Sequence, residues 1–300
     1  MLSIIIVNYK TSRDIKLCLD SIVEHESRCA EYEFIIVDNN SDDPGLAGIK
    51  AEYPFVTIIY APYNNGFAYG CNIGIRHSRG EFILLLNPDT FIDDNSIEKL
   101  YDYLIKNPDV HFIGPMLLFR DRSNQSYFEP KAHLTLWRLF CEKFYLHRIF
   151  SGSKIFNSYY RTYMDYNSVT EVEAVAGSAF MFRREVIDTL GPLDENYFMY
   201  FEESDYCLKA KKNGFRLLYY PPSKIIHTGG LISESNWERS TKNYVASFKY
   251  YFKKNFGRIT YYTAILIFYA GSMLRVIILR LAGNKKYSYY LYYMRYLIKT

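Results

Sequence analysis

The first 120 residues alternate between nearly continuous apolar runs and amphipathic segments. The apolar runs, each of which ends in polar residues, are 2–9, 33–39, 56–61 and 81–87. Runs of this length are typical of strands buried on both faces, as in a parallel sheet. The intervening segments that are predicted to be helices are 12–25, 45–52, 67–78 and 95–106. This alternation predicts a doubly wound α/β sheet with helices on both sides.

Polar side chains follow the predicted strands at the points where the strands end. These ends read Asn8-Tyr9, Asp38-Asn39-Asn40 and Asn87-Pro88-Asp89. Sheets of this type bind ligands beyond the carboxyl ends of their strands. We therefore expect a ligand site at this edge of the sheet.

The second half of the chain has a less regular pattern. Residues 120–170 lose periodicity and gather aromatic residues, which indicates a long excursion over one side of a cleft. Regular structure is predicted to resume with a strand at 174–182, a helix at 202–213, a strand at 215–220 and a helix at 237–255.

The formal net charge of +4 conceals a strong asymmetry. Glu238 is the last acidic residue, and residues 239–300 contain 12 Lys or Arg. Residues 1–238 carry a charge of −8, because 24 basic residues face 32 acidic ones. A basic tail on an acidic body predicts an anionic surface as a partner.

The apolar segment 259–279 in this tail has two interpretations. Sixteen largely apolar residues precede Arg275, which is short of the roughly 20 needed to cross a bilayer. Tyrosines at the boundary and basic residues that follow fit a helix lying in a membrane interface. The alternative is a C-terminal helix that packs on the domain, and the pattern does not decide between the two.

Cysteine usage and the N-terminus bear on the cellular compartment. The five cysteines are odd in number and form no CxxC pair, which argues against a disulfide framework and a thiolate zinc site. The N-terminal apolar run lacks a basic region and a cleavage site, so it is predicted to be a first strand rather than a signal peptide. We expect a cytoplasmic protein at the inner face of the cell membrane.

Two residues are candidates for holding a divalent cation. Asp89 ends a predicted strand, and a single carboxylate becomes a reasonable Mg²⁺ site when the ligand brings its own phosphate oxygens. His227 ends another apolar run before two glycines. Its neutral imidazole could complete the ligand shell, although a lone histidine is more often structural.

Glycines at four-residue spacing mark the segment NNGFAYGCNIG, residues 64–74. Gly66, Gly70 and Gly74 could let backbone N–H groups approach a phosphate or a sugar. Tight packing of a helix against its neighbour explains the same spacing. The neighbouring Asn64, Asn65 and Asn72 keep the binding interpretation open.

Three carboxylates, Glu202, Glu203 and Asp205, follow aromatic residues in the stretch FMYFEESDYC, residues 198–207. Acidic residues are favoured in the first turn of a helix, where they meet the positive end of its dipole. The other interpretation is a cleft in which one carboxylate accepts a proton.

Taken together, these motifs resemble family 2 glycosyltransferases, and most closely the bacterial rhamnosyltransferase-like group. The segments that carry the resemblance lie in family order: IIIVNYK, VDNNS, NNGFAYGCNIG, LLLNPDT, AGSAFMFRREV and YFEESDYCLKAKKNG. The resemblance covers roughly residues 2–230 and implies a GT-A fold. It further implies a nucleoside-diphosphate sugar donor, a divalent cation (Mg²⁺ or Mn²⁺) and inversion at the anomeric carbon. We expect a catalytic domain at 1–235, with a nucleotide-sugar half at 1–120 and an acceptor half at 121–235. A helical region at 236–300 follows, which either associates with a membrane or packs on the domain.

The resemblance also implies a role for each matching residue. Glu203 would be the catalytic base, with Glu202 and Asp205 as substitutes. The metal ligands would be Asp89 and His227, and the acceptor would meet Gly177, Ser178 and Glu202. The implied donor-binding residues are Asn8, Tyr9, Asp38, Asn40, Asn65, Gly66, Phe67, Asn72, Asn87 and Asp89. Two positions depart from the family pattern, since Glu203 replaces the usual Asp and Asn87 replaces an Asp of the two-carboxylate metal motif.

The expected reaction is transfer of a sugar, with dTDP-rhamnose as first choice of donor, to a lipid-linked saccharide in cell-surface polysaccharide synthesis. A UDP-hexose or UDP-galactofuranose donor is the alternative. Rivals of other classes are a nucleotidyltransferase, which would need a glycine-rich phosphate loop after the first strand, and a non-catalytic saccharide-binding protein. Nucleic acid is not expected as a partner, because the basic residues alternate with aliphatic runs. A homo-oligomer is left open.

Overall fold

The structure is a computed structural model that describes residues 1–125, 131–229 and 237–299. By contacts between residues the chain divides into two units. The first, called here the sheet unit, comprises Met1–Lys131, Asp165–Glu195 and Glu202–Gly230. The second, called the helical unit, comprises Ala132–Met164, Asn196–Phe201 and Leu231–Thr300. The domain boundary expected at 235/236 lies outside the described residues.

The strands are β1 Leu2–Asn8, β2 Glu33–Asp38, β3 Val56–Tyr60, β4 Phe82–Leu86, β5 Thr90–Ile92, β6 Phe112–Leu118, β7 Thr170–Glu171, β8 Ala179–Arg183 and β9 Leu217–His227. The helices are α1 Ser12–His25, α2 Gly45–Glu52, α3 Phe67–His77, α4 Ser96–Lys106, α5 Leu136–Lys143, α6 Leu146–Ile149, α7 Glu185–Leu190, α8 Glu202–Lys212, α9 Trp237–Asn255, α10 Arg258–Leu281 and α11 Tyr287–Ile298. A short 3-10 helix occupies Cys29–Glu31. The predicted α/β alternation of the first 106 residues is confirmed, with element ends within one residue of the prediction.

All the strands above form one sheet in the order β3-β2-β1-β4-β8-β6-β9-β5, with β7 paired to β9. The first four strands in this order run parallel, as expected from the alternation of strands and helices. Beyond β4 the sheet is mixed, because β8 runs antiparallel to both β4 and β6. Strand β6 is parallel to β9, and β5 is antiparallel to it. Strands β1 to β4, β6 and β9 therefore share one direction, and β5, β7 and β8 run against them. The expectation of a mostly parallel sheet is confirmed, with three antiparallel strands in its second half.

Helix α3 packs closely on β1 through two of the spaced glycines. A Cβ atom at Gly70 would lie 2.6 Å from Val7 Cγ1, and one at Gly74 would lie 2.3 Å from Ile5 Cγ2. Neither glycine is therefore available to approach a phosphate. Only Gly66 lies outside this packing, and it precedes the first residue of α3.

Strand β9 is longer than the pattern predicted, since it continues to His227 through Pro221 and Pro222. Prolines usually end or interrupt strands, which is why the prediction stopped at 220. Here the pairing of β6 with β9 shifts register between Pro115 and Met116, so the two strands resume their ladder beyond the prolines. This extension carries His227 to the end of a strand.

The helical unit contains a buried trio of charges. The Glu142 carboxylate accepts a hydrogen bond of 2.9 Å from Arg275 Nη2 of α10 and lies 2.8 Å from Lys143 Nζ. The side chains of Glu142, Lys143 and Arg275 are 13%, 7% and 9% exposed. Lys143 Nζ also lies 3.7 Å from the centroid of the Phe268 ring, and Arg275 packs over Tyr145. The trio joins α10 to the end of α5.

Helix α10 has one buried and one exposed apolar face. Its buried positions are Ala264, Phe268, Gly271, Ser272, Arg275 and Val276. The exposed apolar positions that we call the α10 stripe are Ile259, Tyr262, Leu266, Met273, Ile277 and Leu281. At 100° and 1.5 Å per residue, the stripe occupies an arc of roughly 100° and is about 33 Å long. By length and composition α10 is the one helix among residues 1–125, 131–229 and 237–299 that could cross a membrane.

We predict that Arg275→Ala lowers the free energy of unfolding by about 3–5 kcal/mol, because it leaves the buried Glu142 carboxylate with less compensation. Arg280→Ala removes an exposed arginine of the same helix and should cost about 1 kcal/mol at most. Chemical denaturation followed by circular dichroism would compare the two variants. Equal stability of both variants would contradict a stabilising role for the trio.

The same trio predicts a pH dependence of stability. Burial alone would raise the pKa of Glu142, but the charges of Lys143 and Arg275 outweigh burial and lower the pKa from 4.5 to about 2. Between about pH 2 and pH 4.5, the carboxylate is therefore ionised in the native state but protonated in the unfolded chain. This contribution to stability is complete above about pH 4.5 and disappears as the pH falls towards 2. Glu142→Gln should remove this acid dependence.

Candidate functional site

The candidate site is built where β4 ends and β8 begins. Because these strands are antiparallel, Leu86 pairs with Ala179. The backbone N–H of Asn87 then donates to the carbonyl of Ser178 at 2.8 Å. The segment that leads to Asp89 is thus joined to the segment predicted to border the acceptor.

Asp89 and His227 lie side by side. Asp89 Oδ1 is 3.4 Å from His227 Nε2, and the two side chains are 26% and 12% exposed. The pair is held by backbone contacts, because Thr90 pairs with His227 across β5 and β9. The Thr228 N–H also donates to the Asp89 carbonyl at 3.0 Å. One carboxylate and one imidazole nitrogen are suitable ligands for a divalent cation.

Gly229 completes the surroundings of this pair. A Cβ atom at Gly229 would lie 2.0 Å from Asp89 Oδ2 and 3.0 Å from His227 Nε2. Any larger residue at position 229 would displace the Asp89 carboxylate. The described residues contain no group of three or more His, Cys, Asp or Glu side chains that could hold a metal, so a cation at Asp89 and His227 would need further ligands from a bound molecule.

The acidic stretch forms the start of α8, as its composition predicted. Glu203 is half-buried, and its side chain packs against Gly177. A Cβ atom at Gly177 would lie 3.2 Å from Glu203 Cγ and 3.4 Å from Cδ. Gly177 contacts Glu203, and the next residue, Ser178, is hydrogen-bonded to Asn87. Glu203 is thereby linked to the segment that contains Asp89.

The other two carboxylates of the stretch are more deeply placed. Glu202 is 6% exposed and Asp205 is 4% exposed. Burial, and secondarily the nearby charge of Glu203, raises the pKa of Glu202 well above its usual value. A carboxyl group that is hard to ionise is a poor general base, which argues against Glu202. Asp205 is less accessible than the half-buried Glu203, so the geometry favours Glu203.

Two residues predicted to contact the nucleotide, Asn8 and Asp38, belong to a buried hydrogen-bond network. Asn8 is fully buried and donates through Nδ2 to Asp38 Oδ1 at 2.8 Å and to Ser41 Oγ at 3.1 Å. Asp38 is 3% exposed and also accepts hydrogen bonds from the N–H and the hydroxyl of Ser41. These side chains shape the loops after β1 and β2. Their predicted contact with base or ribose stays a prediction.

The start of α3 is ordered by asparagines. Gly66 has a φ of 92°, which favours glycine, and its N–H donates to Asn64 Oδ1 at 3.0 Å. Asn39 donates through Nδ2 to Asn64 Oδ1 and to the Gly66 carbonyl, at 3.0 and 2.9 Å. Asn65 and Phe67 are half-buried on either side of Gly66. Of the remaining donor candidates, Tyr9 is 41% exposed and Asn40 is exposed with a φ of 54°.

Asn72 is engaged elsewhere in the sheet unit. Its Nδ2 donates to the Leu193 carbonyl at 2.9 Å and to Glu195 Oε1 at 2.8 Å, while its Oδ1 accepts from the Leu193 N–H at 3.0 Å. The side chain is 1% exposed. Asn72 thus joins α3 to residues 193–195. The sequence did not reveal this contact, because the partners are more than a hundred residues apart.

Several residues near the site were not singled out from the sequence. Gln125 Nε2 donates to the His227 carbonyl at 2.6 Å and so helps to hold the metal candidate. Asn39 Oδ1 is buried without a hydrogen-bond partner among the described residues, and its position between Asp38 and Asn40 was the available signal. A cavity of about 360 Å³ beside Asp89 is bordered by Asp14 and Arg120.

Comparison with known proteins places this geometry in context. A family model described as Glycosyl transferase family 2 matches residues 3–191. The low-salt glycan biosynthesis hexosyltransferase Agl10 of Haloferax volcanii is 28% identical over 96% of this chain and 87% of that protein. The N-acetylglucosaminyl-diphospho-decaprenol L-rhamnosyltransferase of Mycobacterium tuberculosis is 25% identical over 64% of this chain and 65% of that protein.

A solved structure shares the fold. The mannosyltransferase PcManGT from Pyrobaculum calidifontis, in complex with GDP-Man and Mn²⁺, matches with a TM-score of 0.60 and 16% identity. The match covers 99% of this chain and 84% of that one. The family model itself ends at residue 191, so the placement of Glu203 and His227 rests on the geometry described above.

Proposed function

The chain belongs to glycosyltransferase family 2 and has the GT-A fold, and from that premise we propose that it moves a sugar from a nucleoside-diphosphate donor to a hydroxyl of a lipid-linked saccharide, with inversion. The observation that carries the proposal is the chain of contacts from the Asp89–His227 pair through Asn87, Ser178 and Gly177 to Glu203. It brings a metal candidate and a base candidate to one edge of the sheet. We assign donor binding to residues 1–120 and acceptor binding to 121–235.

Asp89 and His227 would hold a divalent cation at the leaving diphosphate. Such a cation neutralises negative charge that builds on the departing phosphates. The 3.4 Å between Asp89 Oδ1 and His227 Nε2 allows both atoms to face one ion. Mg²⁺ prefers oxygen ligands, so the imidazole nitrogen makes Mn²⁺ our first choice of cation and Mg²⁺ the second.

Glu203 would act on the opposite face of the sugar. Inversion requires the acceptor hydroxyl to attack from the side away from the diphosphate, and this hydroxyl must lose its proton as the new bond forms. A carboxylate within hydrogen-bond reach can accept that proton. Glu203 is the least buried of the three carboxylates in its stretch, and the glycine at 177 leaves room beside it.

The donor and acceptor are proposed by analogy with relatives. One relative is named as an L-rhamnosyltransferase acting on N-acetylglucosaminyl-diphospho-decaprenol, which supports a dTDP-rhamnose donor and a lipid-diphosphate saccharide as acceptor. Another relative is named only as a hexosyltransferase. A UDP-hexose or UDP-galactofuranose is therefore the second choice of donor.

We expect transfer or slow hydrolysis of dTDP-rhamnose in a panel of nucleotide sugars, with loss of the activity in EDTA and recovery with Mn²⁺. Gly229→Ala should mimic EDTA, because its Cβ would displace the Asp89 carboxylate. Gly152→Ala is the matched control, since a Cβ there meets nothing within 4 Å. Turnover of no nucleotide sugar in the panel would contradict the proposed function, and full activity in EDTA would contradict the cation.

We predict that Glu203→Gln lowers kcat for transfer by about 10²–10⁴, the usual contribution of a general base, while the Kd of the nucleotide stays the same. Glu203→Asp keeps a carboxylate one methylene shorter and should retain more activity than the Gln variant. Steady-state kinetics with calorimetric binding of the nucleotide would measure both. Normal turnover by the Gln variant would place the base elsewhere.

We further propose that the α10 stripe lies on an anionic membrane surface, which would place the enzyme at the inner face of the cell membrane near its acceptor. Basic residues flank the stripe, with Arg258 at one end and Arg280, Lys285 and Lys286 at the other, all of them exposed. The absence of Asp and Glu from residues 239–300 leaves no acidic side chain in that part of the sequence to oppose anionic lipid. Apolar burial and charge attraction then act together.

Ile277→Glu should reduce binding to anionic liposomes about tenfold or more, because it replaces an apolar contact with a charge. Ile105→Glu is the matched control, since Ile105 is 48% exposed in α4 and Ile277 is 49% exposed in the stripe. Flotation with anionic and with neutral vesicles, at low and high salt, would measure the effect. Equal flotation of both variants would exclude the stripe as the docking surface.

A further inference from the structure

The helix that carries Glu203 begins directly after an unusual turn. Tyr200 and Phe201 both have left-handed backbone conformations, with φ values of 72° and 70°. Bulky residues rarely adopt this region, because the Cβ atom approaches the neighbouring carbonyl oxygen. Such a conformation persists only where the surroundings hold it in place. Residues 200 and 201, which directly precede α8, therefore keep this conformation only while their surroundings hold it.

Side chains of helix α9 pack against Tyr200 and Phe201. Phe201 is 7% exposed, and its ring centroid lies 5.4 Å from Tyr244, 6.2 Å from Phe248 and 5.1 Å from Tyr251. The ring of Tyr200 lies 5.9 Å from that of Tyr244. Positions 244, 248 and 251 share one face of a helix. Both strained residues are thus packed on the same aromatic face.

Helix α9 also holds the backbone of the segment. Ser247 lies on the same face and donates through Oγ to the Met199 carbonyl at 2.8 Å. Ser247 is 3% exposed, so water does not compete for this bond. At the start of the segment Tyr197 is fully buried, and its ring lies 4.9 Å from that of Tyr250. Residues Asn196–Phe201 are therefore fixed to the helical unit at both ends, although the sequence on either side belongs to the sheet unit.

We propose that Ser247 and the aromatic face of α9 are positioning elements for the catalytic base. This inference rests on the proposed role of Glu203. The base must stay within hydrogen-bond reach of the attacking hydroxyl, and displacement of a reacting group by about 1 Å can cost on the order of 100-fold in rate. Glu203 is two residues beyond Phe201, so a turn that relaxes towards ordinary φ values redirects the first turn of α8 and the carboxylate with it.

The competing explanation is that the contacts only stabilise the helical unit. The two explanations differ in what a second mutation does. If Ser247 acts through Glu203, its removal has no further effect once the carboxylate is gone. If Ser247 acts only on stability, the two losses multiply.

The test is a double-mutant cycle in the full chain with Ser247→Ala, Glu203→Gln and the double variant. We expect Ser247→Ala to lower kcat about tenfold with little change in KM for the donor. The double variant should match Glu203→Gln. Ser272→Ala is the matched control, because Ser272 is a fully buried serine of α10 whose Oγ has no hydrogen-bond partner among the described residues. Multiplicative losses, or an equal loss in the control, would overturn the inference.

A second measurement separates this inference from the proposed function. Amide hydrogen exchange at residues 202–206 should be faster in Ser247→Ala than in the wild type, and unchanged in Ser272→Ala. This readout needs no substrate, so it reports on the first turn of α8 even if the donor assays fail. Unchanged exchange at 202–206 in Ser247→Ala would overturn the inference whatever the activity. If the wild type transferred none of the sugars in the donor panel, the proposed function would be overturned instead.

Discussion

The candidate site depends on the antiparallel placement of β8 beside β4. A strand that runs against its neighbour starts where that neighbour ends, so residues 176–178 meet residues 87–89. A parallel β8 would have brought its other end, near Arg183, to the same place. The hydrogen bond from Asn87 to Ser178 continues this antiparallel pairing beyond Leu86 and Ala179, and it joins the segment that leads to Asp89 to Ser178. Gly177 then allows the side chain of Glu203 to approach this junction without a Cβ atom between them.

The parallel half of the fold could be predicted because each of its elements has a recognisable pattern of apolar and polar residues within its own segment. Buried strands such as β1 and β4 are continuous apolar runs, and the helices between them are amphipathic, so the period of the pattern settles both. Strand β5 and the part of β9 beyond Tyr220 gave no such signal. Thr90–Ile92 is too short to show a period, and Pro221 and Pro222 interrupt β9. Strand β9 pairs with β6 on one side and with β5 on the other, and these ladders satisfy backbone groups of both β5 and β9.

The pattern of the tail was ambiguous for a physical reason. A helix that packs on a domain and a helix that lies on a membrane both need an apolar face, and α10 has two apolar faces, one buried and one exposed. Its buried face is anchored by Arg275, which pairs with Glu142 in a low-dielectric setting. The sequence showed Arg275 only as an interruption of an apolar run. Its partner lies 133 residues away, and no local period could connect the two.

The predicted site residues differ in how far other groups of the protein already use their polar atoms. The oxygens of Asp38 accept from Asn8 and Ser41, and the amide of Asn72 is used by Leu193 and Glu195. These hydrogen bonds hold the loops after β1 and β2 and join α3 to residues 193–195. Asp89 and Glu203, by contrast, lie beside glycines, which offer no side-chain donor to a carboxylate. Glu203 Oε1 accepts one hydrogen bond, from Ser204 Oγ at 3.2 Å, and Asp89 Oδ1 lies 3.4 Å from His227 Nε2. A glycine beside an acidic side chain leaves room for a cation or a proton donor at the carboxylate, which is what the proposed sugar transfer would require of Asp89 and Glu203.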